Sequence, residues 1–246
     1  MFKVEAITPA IGAEITGVSL IKNINIDTVE KIYDALIKYQ VIFFREQNLS
    51  PQSHLQLAKY FGKIDPGHPV YPHVEGFQSI VLLKNDLNSK PDTNDWHKDF
   101  TFKSNPAFAS ILHAVSVPKI GGDTIWSSMS AAYDSLSEGW KKDLDGLEAI
   151  HDMGSFRNNY YRKGGVNSIN NALKKVGSAV HKVVETHPVS GLKYLNVNQS
   201  FTRNILNESQ GASDQILQFL FKQMSKPEFQ VRFNWQNNSI AIWDNR

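Results

Sequence analysis

Cysteine is absent from all 246 residues, which removes disulfides, thiolate metal centres and a cysteine nucleophile at once. Any metal site must then be built from His, Asp or Glu. Long apolar runs are missing too, and nothing approaches the ~18 residues that a membrane-spanning helix needs. Residues 1–10 show no basic cluster followed by an apolar run, so no signal peptide is read there and a cytoplasmic location is expected. A charge excess is lacking as well: the formal net charge is +2, with both signs interspersed. That balance offers no basic stripe, so neither nucleic acid nor a membrane is expected as a partner. Internal repeats, low-complexity segments and a Gly-x-Ser-x-Gly elbow are absent, and no Gly-rich phosphate turn opens a helix. Gly121-Gly122 and Gly164-Gly165 read as turns.

What is present suits one sizeable domain, with two small ones as the alternative. Hydrophobic residues make up 41% and charged residues 20%, enough for a real core. Two early helices are predicted. Asp27 caps the first with Glu30 as its partner, and Val29, Ile32, Tyr33, Leu36 and Ile37 share a face. Ser50-Pro51 starts the second, and Gly62 marks its stop. Further helices are expected over 131–144 and 213–224. Short apolar, β-branched runs at 41–44, 80–83, 109–117, 182–186 and 194–197 read as strands. The clearest strand is 229–235, where Phe229, Val231, Phe233 and Trp235 alternate with polar residues; a turn at 236–239 leads to 240–243 as its partner. Many short strands with helices added suggest a mainly β sandwich or barrel decorated by helices.

The chemistry centres on Trp96-His97-Lys98-Asp99. On extended chain, residues i and i+2 project to the same side, so His97 and Asp99 can reach one metal ion together. One imidazole and one carboxylate are two-thirds of a two-His-one-carboxylate triad, the Fe(II) site that leaves coordination positions open for a cosubstrate and oxygen. Alone, a His-x-Asp triplet is weak, and a surface pair that merely hydrogen-bonds is the competing reading.

Six blocks then occur in one order: His68-Pro69-Val70-Tyr71-Pro72-His73; Trp96-His97-x-Asp99-x-Thr101-Phe102; Gly121-Gly122-Asp123-Thr124-x-Trp126; Thr186-His187-Pro188-Val189-Ser190-Gly191; Lys226-Pro227-Glu228-Phe229-Gln230-Val231-Arg232; and Ile240-Ala241-Ile242-Trp243-Asp244-Asn245-Arg246. Together they cover nearly the whole chain, and the sequence resembles the taurine dioxygenase family. The resemblance implies a double-stranded β-helix (jelly-roll) core, Fe(II), 2-oxoglutarate as cosubstrate, and O2. It implies hydroxylation of an unactivated C–H bond beside a sulfonate, as in taurine, releasing sulfite and an aldehyde with succinate and CO2. By the same resemblance His97 and Asp99 are iron ligands, and Thr124 binds a carboxylate of 2-oxoglutarate. His68, Tyr71, Ser155, Phe156, Phe201 and Trp243 match positions lining the substrate pocket. A homo-oligomer is expected on the same ground.

The family places its second iron-binding His, and the arginines that pair with 2-oxoglutarate and sulfonate, beyond the block that ends at Arg246. The expectation is therefore a single dioxygenase domain over 1–246 that lacks its C-terminal segment. As it stands, such a chain is expected to bind iron weakly and turn over negligibly. Two departures bear on taurine as substrate more than on the chemistry. Thr93, with Asn94 beside it, stands where the taurine enzymes have a substrate-contacting Asn, and Phe100 replaces a smaller aliphatic residue. Relatives act on other sulfonates, sulfate esters or aryloxy acids. The alternatives are a catalytically inactive homologue that binds a small anion, and a Zn2+ hydrolase. His54 and His113 read as structural. His151, His181 and His187 are the candidates to replace a distal ligand, and His187, before a proline, reads as structural.

Overall fold

The computed structural model describes residues 1–68, 71–86, 95–154 and 156–246. Along the chain the elements run β1 (Lys3–Ala6), β2 (Ala13–Thr16), α1 (Ile26–Tyr39), β3 (Val41–Phe44), α2 (Pro51–Lys59), β4 (His73–Val74), β5 (Phe77–Val81) and β6 (Ala109–His113). They continue with β7 (Thr124–Ser127), α3 (Met129–Asp134), α4 (Glu138–Leu144), β8 (Glu148–His151), α5 (Phe156–Val176), β9 (Ala179–Lys182), β10 (Val184–Thr186) and β11 (Lys193–Leu195). β12 (Thr202–Ile205), α6 (Gln210–Met224), β13 (Gln230–Phe233) and β14 (Ile240–Asp244) complete the order. The chain is thus strand-rich with helical additions, as the sequence suggests, and it forms two compact units.

The first unit comprises Met1–Leu82, Ala107–Ser128 and Lys226–Arg246. Its main sheet runs β1-β2-β3-β14-β6, antiparallel except for the parallel β2–β3 pair. Period-two alternation in β3 sends Val41 and Phe43 to one face and Ile42 and Phe44 to the other, and all four are fully buried. Ile42 and Phe44 join Ile32 and Leu36 of α1, Leu57 of α2, and Ile240 and Ile242. Val41 and Phe43 join Val231, Phe233, Trp235 and Ala241. Phe43 stacks on Phe233 with ring centroids 4.0 Å apart. Each large side chain buried this way contributes about 1.5–3 kcal/mol. A second pair, β13 with β7, sets Phe233 opposite Thr124 and Val231 opposite Trp126.

The second unit comprises Leu83–Pro106 and Met129–Ser225. It holds the antiparallel sheet β12-β8-β9 and the hairpin β10-β11. Trp140 of α4 stacks on Phe219 of α6 at 4.1 Å between ring centroids. Leu217, Leu220 and Met224 are buried along α6, at the spacing expected of its apolar face.

Several elements differ from the sequence expectation. The cap of α1 is Asn25, whose side chain accepts from Thr28 N; Asp27 falls in the first turn, where a carboxylate favours the helix dipole. The helix expected over 131–144 is two helices, because Ser137 caps a new one at Trp140 N. The run at 182–186 is split between β9 and β10, and 80–83 forms only the end of β5. The expected hairpin of 229–235 with 240–243 does not form. Its turn is present, with Ser239 N bonded to Gln236 O, but β13 pairs with β7 and β14 lies between β3 and β6. Alternation reveals a strand and its faces, not its partner. α5 carries too little apolar periodicity to be read from sequence. Gly164-Gly165 interrupts it, Gly165 at φ +61°, so the expected turn survives as a kink.

Candidate active site

His97 and Asp99 lie in the second unit, on chain that belongs to no sheet. The expected strand edge is therefore not formed there, yet the i, i+2 geometry holds. His97 Nε2 and Asp99 Oδ1 are 3.8 Å apart, and both side chains reach solvent. Two bonds of about 2.1 Å each can span up to about 4.2 Å, so one ion can be held by both groups. His97 Nδ1 lies 3.1 Å from Asp95 O. Donation from Nδ1–H to that carbonyl leaves the Nε2 lone pair for a metal, the usual way a backbone carbonyl orients a histidine ligand. A hard carboxylate with an imidazole suits Fe(II) or Mn(II). Among the described residues no group of three or more His, Cys, Asp or Glu side chains gathers for a metal, so these two are the protein donors in view.

The segment is fixed by neighbours rather than by a ladder. Ser200 N donates to Trp96 O at 3.2 Å, and Trp96 N donates to Gln199 Oε1 at 3.3 Å. Phe100, directly after Asp99, has φ +59°, a strained conformation for a bulky residue that its surroundings must enforce. Its ring lies 5.8 Å from Phe102 and 4.3 Å from Lys103 Nζ.

Phe201 presents its ring at 88° to His97, with centroids 6.5 Å apart, and Phe156 and Phe102 pack on Phe201 at 5.7 Å and 5.6 Å. All three phenylalanines are buried. The structure therefore brings two sequence-predicted pocket residues together, Phe201 near His97 and Phe156 against Phe201. A buried carboxylate that the sequence reading missed holds them there. Asp152 accepts from Gly154 N at 2.7 Å, from Arg203 Nε at 2.8 Å and from Arg157, while its own N–H donates to Phe201 O at 3.0 Å. Burial pushes the Asp152 carboxyl up, but the hydrogen bonds from Arg157 and Gly154 with the charge of Arg203 outweigh it and hold it below its ordinary range. Gly154, at φ +52°, approaches the Ser200 backbone so closely that a Cβ would sit 1.6 Å from Ser200 O. Asp152 follows a strand end with nothing local to mark it; a charged residue ending an apolar run is the one hint.

The remaining histidines of this unit have other occupations. Val189 N and Ser190 N both donate to His187 Nδ1, so His187 organises a turn, as its position before a proline suggests. His181 Nε2 is 2.7 Å from Thr101 O. His151 is fully buried beside the Thr202 hydroxyl; burial, then the charges of His181 and Lys98, push its pKa down to about 3, so it stays neutral.

Thr124, Trp243, His68 and Tyr71 lie in the first unit. Thr124 Oγ1 accepts from Trp235 Nε1 at 2.9 Å, which leaves its own proton for an acceptor. The Gly-Gly-Asp-Thr block is explained locally. Gly121 and Gly122 have φ of +81° and +72°, and Asp123 binds Arg232 Nε at 2.7 Å and Asn234 Nδ2 at 2.8 Å, clamping β7 to β13. Trp243 donates its indole N–H to Asn245 Oδ1 at 3.0 Å and packs 5.7 Å from Trp126. His68 and Tyr71 rings lie 4.7 Å apart, and Tyr71 N donates to His68 Nδ1 at 3.4 Å. With Nδ1 accepting, a neutral His68 carries its proton on Nε2. Thr93, Asn94 and Ser155 lie outside the described residues.

Comparison with known proteins gives a consistent result. The family model described as Taurine catabolism dioxygenase TauD, TfdA family matches residues 3–246. An alkylsulfatase of Acinetobacter baylyi is 34% identical over 250 residues, 98% of this chain and 76% of that protein. An alpha-ketoglutarate-dependent sulfate ester dioxygenase of Pseudomonas putida is 34% identical over 255 residues, 99% of this chain and 81% of that protein. The crystal structure of a taurine dioxygenase from Burkholderia xenovorans superposes with a TM-score of 0.85 at 33% identity, covering 100% of this chain and 80% of that one.

Proposed function

The chain belongs to the TauD, TfdA family of Fe(II)- and 2-oxoglutarate-dependent dioxygenases, oxidoreductases by reaction, and on that footing we propose that it hydroxylates the carbon beside the sulfur group of a small sulfonate such as taurine. The observation that carries the reading is the His97–Asp99 pair, 3.8 Å apart with the His97 tautomer set by Asp95 O. When bound, Fe(II) with 2-oxoglutarate and O2 supplies the oxidant for an unactivated C–H bond, and 2-oxoglutarate leaves as succinate and CO2. Hydroxylation at that carbon lets a sulfonate collapse to sulfite and an aldehyde.

In this reading His97 and Asp99 hold the iron. The Thr124 hydroxyl accepts from Trp235 and donates its proton to a carboxylate of 2-oxoglutarate. His68, through Nε2–H, and Tyr71 donate to the anionic group of the substrate, with Thr93, Asn94 and Ser155 as further polar contacts. Phe100, Phe156, Phe201 and Trp243 exclude water from the reacting carbon. The two compact units are read as one dioxygenase domain over 1–246 with a double-stranded β-helix core, acting in the cytoplasm as a homo-oligomer. A sulfate ester is the second substrate reading, favoured by the names of the Acinetobacter and Pseudomonas relatives.

The test incubates the protein with Fe(II), ascorbate, 2-oxoglutarate and O2, and with taurine, longer alkyl sulfonates, alkyl sulfate esters or aryloxy acids. Succinate formed with sulfite supports the sulfonate reading, and succinate with sulfate moves the assignment to the ester. No succinate above the substrate-free rate with any of them, from the full-length protein, defeats the proposal.

A further inference from the structure

The residue between the two candidate ligands has its own set of partners. Lys98 Nζ donates to Asn196 Oδ1 at 2.6 Å. It also lies 5.0 Å from the centre of the Tyr194 ring, within range of a cation–π interaction. Asn196 passes the contact on, its Nδ2 donating to Glu185 Oε1 at 3.1 Å. The Tyr194 hydroxyl donates to the other oxygen, Glu185 Oε2, at 2.9 Å. Tyr194 and Asn196 are 5% and 3% exposed, so the middle of this chain of bonds is shielded from water, while Lys98 and Glu185 at its ends are partly exposed. Tyr194 belongs to β11 and Glu185 to β10, and the two residues are directly opposite in the hairpin register. The hairpin therefore offers the ammonium group an amide oxygen, an aromatic face and, one bond further, a carboxylate.

That arrangement matters because Trp96–Asp99 has no strand partner. The backbone bonds to Trp96 hold one end of the segment, and strained Phe100 marks the other. Between them, Lys98 ties the His-x-Asp triplet to the β10-β11 hairpin. Lys98 stands between the two candidate ligands in the chain, so fixing it limits the freedom of the backbone that carries both. We propose that Lys98 is a positioning residue whose tether to Asn196, Tyr194 and Glu185 sets the orientation of His97 and Asp99 for metal binding. The proposal rests on the reading that these two residues hold the metal.

The test measures Mn(II) binding to the full-length protein by the loss of the free-ion electron paramagnetic resonance signal, together with thermal melting, without turnover. Lys98→Met keeps the length of the stem and removes the donors. It is expected to weaken Mn(II) binding about tenfold, the lower end of what supporting contacts around metal ligands contribute. Lys98→Arg is expected to recover most of the affinity. Glu185→Gln, remote from the ion, is expected to weaken binding in wild type and to add little in Lys98→Met, since the two changes cut one connection. Lys98→Met binding as tightly as wild type overturns the tether, whatever its melting temperature. Equal losses in Lys98→Met and Lys98→Arg overturn it too. His97→Ala separates this from the underlying reading. If His97→Ala binds Mn(II) like wild type, the metal assignment itself falls; if it loses binding while Lys98→Met does not, only the tether falls.

Discussion

Single side chains carry the chemistry here, and most were visible as residue types before they were visible as a place. His97 and Asp99 could be named from the family blocks around them, with the i, i+2 spacing only making a shared ion geometrically possible. Their supports could not. Asp152, Arg203 and Asn196 come from distant segments, and no local pattern announces a carboxylate that meets a guanidinium 51 residues away. Thr124 is a sharper case. The sequence supplies the residue, while the structure adds that its hydroxyl already serves Trp235, itself 8% exposed. Thr124→Val should therefore leave a buried indole N–H unpaired, at a cost of about 1–3 kcal/mol of stability. It should also raise the KM for 2-oxoglutarate about tenfold, the loss of one hydrogen bond to a charged group. Thr124→Ser should stay near wild type on both counts. Succinate formation against 2-oxoglutarate concentration measures the first effect and denaturant unfolding the second, and an unchanged KM in Thr124→Val removes Thr124 from the cosubstrate role. If Asp99 holds the iron as proposed, Asp99→Ala should reduce Fe(II)-dependent succinate formation below a detectable rate while the protein stays folded, as circular dichroism would show.

At the level of elements, strands were more legible than their pairings. The apolar run of β3 announces burial on both faces, and alternation in 229–235 announces a half-buried strand. Neither says that β13 would choose β7 or that β14 would fill the gap between β3 and β6, since such choices depend on the closure of loops far apart in sequence. Helices read well where a cap or an apolar stripe marks them, as the cap at Ser50 and the stripe along α6, and poorly in α5, whose residues are mostly polar. The loop between β8 and α5 depends on one conformational permission. Gly154 sits at positive φ with no room for a Cβ against Ser200 O. Gly154→Ala should push the two loops apart, lower the melting temperature by several degrees for a cost of about 2 kcal/mol or more, and disturb Phe156 and Phe201 together. A melt equal to wild type would mean that the loops part without cost. Arg203→Met, which breaks the Asp152 contact while leaving the backbone approach intact, gives the smaller loss expected of a half-exposed guanidinium.

Across the whole molecule, buried histidines tie stability to pH. His151 is held neutral with a pKa of about 3 against an ordinary 6.5, and burial lowers His54 and His113 as well. A folded value below the unfolded one means that the unfolded chain takes up protons which the folded chain refuses. Stability is then complete above about 6.5 and declines as pH falls toward the folded value, by about 1.4 kcal/mol per pH unit for each such group at most. Unfolding by urea at pH 7 and pH 5 should show the loss, and His151→Asn should show a smaller difference between the two conditions; equal differences would remove His151 as a source. The order of the strands has one more consequence. β14 is the fourth strand of the five-stranded sheet but is made after β3 and β6 on either side of it. Until residue 240 is made those two strands lack the one that pairs with both, whereas every residue of the second unit has already been synthesised. A released fragment ending at Ser225 should therefore protect its second unit from protease while leaving β3 and β6 open to cleavage and to capture by a holding chaperone.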